Sequence, residues 1–200
     1  MTEDGRGKSS IKVMALLKMA TGNLVKQLSW IRWIQFEWDL SALPGAEVAL
    51  PKHYQIAPAT NADEAGLRKA FSSAFLLDPT WNPAIAQTMK TIQPWLDDAL
   101  ASATKICLAL RHGVRIIGAS IVAIDPLLDN HLVPGPCILM EYRNRGFGTA
   151  LLRSSLKLLA ESGVSKALAV TREDAPVTKF LYPKFGGVAV ARNVATLLAA

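Results

Sequence analysis

The stretch Arg143-Asn144-Arg145-Gly146-Phe147-Gly148-Thr149 stands between two segments of opposite character. Before it, Cys137 to Met140 reads as a short buried strand. After it, Leu151, Leu152, Leu156 and Leu159 recur at helical spacing as far as Glu161. A strand, a glycine-bearing loop and a helix in that order have a physical consequence. The amides that open the helix lack internal acceptors, and the helix dipole adds partial positive charge to them. Glycines at 146 and 148 remove side chains that would hold an anion away from those amides. Arg143 and Arg145 supply charged donors. The segment therefore reads as an anion site suited to a diphosphate. The alternative is a tight strand-to-helix turn that simply needs glycine.

On the carboxy-terminal side, Gly163 ends the helix, Ala167 to Thr171 predicts another buried strand, and Pro176 opens a last helix that stops at Gly186-Gly187. On the amino-terminal side lies a loop from Asp125 to Pro136 with three prolines. Lys105–Leu110 and Val114–Ile124, two apolar runs around His112-Gly113, predict a hairpin. Earlier still, His53 to Ala57 is a short strand closed by Pro58. Thr60 or Asn61 caps a helix through Phe75. A second helical stretch runs from Pro83 to Ala101, and Pro94 inside it predicts a kink or two helices. Strand, two helices, hairpin, strand, helix, strand, helix is the order of a mixed α/β domain with a central sheet, placed at 53–200.

Residues 1–52 read as an extension. The run from Ser9 to Ile31 has Val13, Leu17, Leu24, Leu28 and Ile31 at helical spacing with lysines between them, and Gly22-Asn23 divides it into two short helices. A helix packed on its own domain or on a second subunit is the leading interpretation, with a cationic helix on a membrane surface behind it. Ile34, Phe36, Trp38 and Leu40 then alternate with Gln35, Glu37 and Asp39, the pattern of a strand with one buried face. Trp30, Trp33 and Trp38 lack the interleaved basic residues of a base-stacking platform and read as core or interface.

Composition closes off several classes. The chain has 200 residues, half of them hydrophobic and 19% charged, which excludes wholesale disorder. No run approaches the roughly 20 apolar residues of a membrane span. Two cysteines, Cys107 and Cys137, exclude a disulfide scaffold, and with no cysteine–histidine cluster no metal is expected. The net charge of +6 is scattered, so nucleic acid ranks last as a partner and a cytoplasmic, phosphate-bearing small ligand ranks ahead.

Arg143-x-x-Gly146-x-Gly148, with Glu141-Tyr142 before it and Leu151-Leu152 after it, resembles the acyl-CoA loop of the GNAT superfamily of acetyl-CoA-dependent N-acetyltransferases. Ile56-Ala57-Pro58-Ala59-Thr60-x-x-Asp63 resembles that family's opening strand and helix start. Leu181-Tyr182-Pro183-Lys184-Phe185-Gly186 resembles its carboxy-terminal helix with the usual tyrosine. The likeness spans about 53–190 and implies an α+β fold with a mixed, mostly antiparallel sheet flanked by helices. It implies acetyl-CoA as co-substrate, lying between the strand of Cys137 and Ile138 and the strand of Ala167 to Thr171. Its diphosphate would rest on the amides of Asn144, Arg145, Gly146, Phe147, Gly148 and Thr149. An amide near Ile138 would stabilise the oxyanion, and Tyr182 would protonate the leaving thiolate. The acceptor would be a primary amine of a small molecule, peptide or protein.

The resemblance is incomplete in places. The strand at 167–171 carries no carboxylate to act as base, so water-mediated deprotonation is favoured over Glu173, Asp174, Glu141, Asp125 or His131. Ala175 stands where the family often has a CoA-contacting asparagine. Only thirteen residues (188–200) follow Gly187, too few for two closing strands. Either the strand at Ile34–Leu40 or a strand from the partner in a homodimer would complete the sheet. A non-catalytic acyl-CoA-binding module is the competing functional class.

Overall fold

The computed structural model describes residues 32–44, 49–79, 81 and 85–190. The helices read over 9–31 and the apolar chain end fall outside the described residues.

The period-two alternation produces β1 (Trp33–Asp39). Its polar face grades from a buried Gln35 to an exposed Asp39. Gln35 is fully buried, and its amide donates to the Asp129 carbonyl at 2.7 Å, while Phe36 and Trp38 enter the core on the opposite side. Both edges of β1 are hydrogen-bonded, so it is an interior strand. It pairs antiparallel along its whole length with β6 (Lys166–Arg172), and on its other edge with β7 (Val188–Val190). The sheet order is β6-β1-β7, so the amino-terminal strand fills the place between the last two strands of the chain.

A second sheet, antiparallel throughout, has the order β2 (Tyr54–Pro58), β3 (Lys105–His112), β4 (Arg115–Ala123) and β5 (Cys137–Ile138). Its two faces bury different helices. Cys107 and Ala109 of β3 meet Leu67, Phe71 and Phe75 of α1 (Glu64–Leu76) and Ile92 and Leu96 of α2 (Ile85–Ala101). Leu108 and Leu110 meet Leu151, Leu152, Leu156 and Leu159 of α3 (Phe147–Glu161). Each of those four leucines is fully buried and contributes about 2 kcal/mol. That burial, more than intrinsic propensity, stabilises a 15-residue helix.

The 3-10 turn Asn61–Asp63 that leads into α1 carries the expected Thr60 cap, with Thr60 N–H donating to the Asp63 carboxylate at 2.8 Å. Three readings need correction. α2 is one helix through Pro94 and not two, with Pro94 on its exposed face. The last helix is shorter than read: α4 (Pro176–Phe180) gives way at Leu181 to a 3-10 turn over Tyr182–Phe185, since a residue preceding proline resists α geometry. The proline-bearing stretch 125–136 is not a free loop. Its end pairs with β4 through Ala123 N–H to His131 O (2.9 Å) and Val133 N–H to Ile121 O (3.2 Å).

That stretch also joins the two sheets. His131 N–H donates to Leu168 O (2.7 Å), Leu168 N–H donates to His131 Nδ1 (3.0 Å), and Val170 N–H donates to Asn130 Oδ1 (3.2 Å). Past this clasp β5 and β6 belong to different sheets.

Candidate active site

α3 begins at Gly146, whose φ of +81° is a left-handed conformation that favours glycine. Asn144, two residues earlier, also has positive φ (+61°). A Cβ on Gly146 would meet nothing within 4 Å, so the space in front of the turn is open. The first hydrogen bond of the helix is Ala150 N–H to Gly146 O (3.0 Å), and no side chain caps it. The amides of Phe147, Gly148 and Thr149 thus have no acceptor within the helix and carry its positive pole. A Cβ on Gly148 would come within 3.7 Å of Leu181 and 3.9 Å of Ile138, so the helix start lies close to β5. These features fit an anionic group such as a diphosphate.

The two loop arginines do different work. Arg143 turns away from the helix start: Nε donates to Ile138 O (3.1 Å), Nη1 to the buried Asp78 carboxylate (2.7 Å) and Nη2 to Ala74 O (2.9 Å). Its guanidinium ties the loop to the end of α1, a role its position in the motif did not suggest. Arg145 is exposed and stacks over the Tyr142 ring at 5.6 Å, leaving it the charged donor nearest the open amides.

β5 is aimed by a bulge. Val122 pairs with Leu132 and Ala119 with Cys137, so five steps along one strand oppose three along the other. The surplus falls at Pro134–Pro136. Leu139 N–H donates to Ile117 O (2.9 Å), so alternation in the antiparallel ladder turns the Ile138 N–H away from β4.

Gly135, inside the bulge, is required by Tyr182, whose hydroxyl lies 2.7 Å from where a Cβ would stand. The Tyr182 ring is held edge-on by Trp38 (centroids 4.9 Å) and Phe36 (5.2 Å) and is 2% exposed. Burial raises its phenol pKa above the ordinary value, so it keeps its proton. Cys137 donates its S–H to Gly135 O (3.3 Å), and burial likewise raises its pKa, which leaves no thiolate for nucleophilic work. Burial pushes Cys107 up to about 12.

The candidate bases are mostly engaged. Glu141 pairs with Arg115 (2.7 Å), Asp174 with Arg172 (2.6 Å), and Asp125 accepts from Leu127 N–H (3.0 Å). Ala175 is buried and brings no polar side chain. His131 is 1% exposed, its Nδ1 spent on the Leu168 amide and its Nε2 buried without a partner. Burial holds its pKa below the usual 6.5, against opposing contributions from the backbone of Leu168 and Asp125 and from the charges of Asp125 and Asp129. An unfolded histidine takes up a proton that the folded one refuses, so this contribution to stability is present at neutral pH and declines as pH falls below about 6.5. Tm should therefore drop between pH 7 and pH 5 by more in the parent than in His131→Asn; equal drops would contradict the assignment.

A family model described as the acetyltransferase (GNAT) family matches residues 68–186, well over half of the sequence. The chain belongs to the GNAT acetyltransferase family. Acetyl-CoA is the acyl donor that this family uses. Among solved structures, the chain is similar to a GCN5-related N-acetyltransferase from Sphaerobacter thermophilus (19% identity, TM-score 0.55, 80% of this chain and 49% of that one). A GNAT-family acetyltransferase from Colwellia psychrerythraea is alike at 12% identity and TM-score 0.56, over 80% of this chain and 53% of that one. AAC(6')-Iy in complex with the bisubstrate analogue CoA-S-monomethyl-acetylneamine aligns at 13% identity and TM-score 0.54, over 70% of this chain and 95% of that one. The chain spans about half the length of the first two. At these identities the likeness is one of fold. No curated protein matches the sequence. Among the described residues, no helix is long and apolar enough to cross a membrane, and no group of acidic, cysteine and histidine side chains is placed to hold a metal.

Proposed function

We propose that this chain transfers an acetyl group from acetyl-CoA to a primary amine by direct attack of the amine on the thioester. The observation that carries the proposal is the uncapped, open start of α3 lying against β5. There the amides of Phe147, Gly148 and Thr149, with Arg145, hold the diphosphate. Arg143 acts at one remove: by holding Ile138 O and Asp78 it fixes the loop relative to β5. The pantetheine arm extends along the free edge of β5, and the Ile138 N–H, turned away from β4, donates to the carbonyl oxygen as charge develops.

Amine nitrogen bonds to the carbonyl carbon, the carbon–sulfur bond breaks, and the thiolate takes a proton from the Tyr182 hydroxyl. A desolvated phenol holds that proton until the thiolate, itself poorly solvated, needs it. With the nearby carboxylates Glu141, Asp174 and Asp125 engaged in other bonds, the amine loses its proton to water. The segment Trp33–Asp39 serves the same domain, since β1 is part of its sheet.

The test is calorimetric titration with CoA followed by an amine-panel screen for free CoA. Binding of CoA with CoA release on at least one amine is the expected result. Binding without release across the panel would favour an acyl-CoA-binding module, and no binding would overturn the proposal.

A further inference from the structure

Arg172 ends β6 and is 7% exposed. Its Nε and Nη2 donate to the two carboxylate oxygens of Asp174 at 3.0 and 2.6 Å. Nη1 is buried and has no hydrogen-bond partner. A guanidinium carries five N–H groups in a planar fork. Asp174 occupies one edge, which leaves both N–H groups of Nη1 and the second one of Nη2. Buried donors of this kind are almost always satisfied, and an exception needs an explanation.

The surroundings supply one. The Trp81 ring lies 5.6 Å from the Arg172 guanidinium, and Phe75 holds Trp81 edge-on at 4.9 Å. Trp33 lies 6.3 Å from Trp81 and stands opposite Arg172 in the β1–β6 register. Both indoles are partly exposed. The cluster is also tied to the candidate active site. Trp81 N–H donates to Asp78 O (3.0 Å), the Asp78 carboxylate holds Arg143, and Arg143 holds Ile138 O. The segment from Asp78 to Trp81 therefore links the tip of β6 to β5.

We infer that this cluster is the acceptor subsite and that the acceptor is an amine bearing a carboxylate. The carboxylate takes the free edge of Arg172, and the apolar part of the acceptor lies on Trp33 and Trp81. A planar fork matches a carboxylate bidentately. With Asp174 already balancing the guanidinium charge, a monoanion on the free edge meets less repulsion from that carboxylate than a phosphate dianion would. The inference rests on the acetyl-transfer proposal above.

Paired acceptors test it: phenylalanine against phenethylamine, tryptophan against tryptamine, and 4-aminobutyrate against butylamine, read as CoA release. The carboxylate member should exceed its partner at least tenfold in kcat/KM in one or more pairs, and Arg172→Gln should cut that preference to threefold or less. Equal rates within every pair, or a preference kept by folded Arg172→Gln, would overturn the inference while leaving acetyl transfer standing. Should Arg172→Gln fail to fold, or no amine be acetylated, calorimetry of the parent with CoA and N-acetylphenylalanine or its amide decides. Heat from the acid and none from the amide supports the subsite; heat from neither, or equal heat from both, sinks it.

Discussion

Deleting residues 1–45 leaves a chain that does not fold. β1 runs from Trp33 to Asp39 at the centre of the sheet β6-β1-β7, and its loss strips hydrogen-bond partners from both neighbours at once. It also removes Trp38, fully buried against Tyr182, and Phe36 beside it. Truncating one buried aromatic residue typically costs about 3–5 kcal/mol, and a domain of this kind has only about 5–15 kcal/mol in total. Two such losses together with a missing central strand exceed that margin. The expected product is insoluble or lacks a cooperative thermal transition by circular dichroism. A soluble remnant with a sharp melt and CoA-releasing activity would show that β1 is dispensable and that the sheet is completed in another way.

Tyr182→Phe lowers turnover at least tenfold and leaves CoA affinity unchanged, because the change removes a proton donor and nothing that faces the diphosphate. General acid–base groups commonly contribute 10² to 10⁴ in rate, so tenfold is a lower bound. The phenylalanine ring keeps the edge-on contacts with Trp38 and Phe36, so stability should move by less than about 1 kcal/mol. This separates a chemical role from a packing role: a packing residue would change Tm and spare kcat in the same measurements. Burial lifts the phenol pKa above 10, so the parent should show no fall in kcat from tyrosine ionisation up to about pH 10. Unchanged turnover in the variant removes Tyr182 from the chemistry and leaves it as a core aromatic residue.

Local signals explain why much of this chain is legible without coordinates. The glycine at 146 is needed for a positive φ at a helix start, and both the loop and α3 follow from a few adjacent residues. The β3–β4 hairpin, the Thr60–Asp63 cap and the alternation over 33–39 are likewise short-range patterns. Arg143 shows where such reasoning stops. Its place in the motif points to an anion, but its partners Ala74 and Asp78 lie 69 and 65 positions away, and nothing in the spacing announces them. The bulge at Gly135 is equally hidden. Three prolines between 126 and 136 read as a loop, while the requirement for glycine comes from a tyrosine hydroxyl on a different element.

Amino-acid order alone determined most of the element types, the open glycine-bearing turn at 143–149 and the family, because periodicity, caps and φ preferences act within a few residues. Long-range packing decided the rest: the insertion of β1 between β6 and β7, the clasp of His131 on Leu168, the engagement of Arg143, and the buried fork of Arg172 beneath two indoles. These depend on which distant side chains share a desolvated space. There a guanidinium must find an acceptor, and an interior strand must pair along both edges.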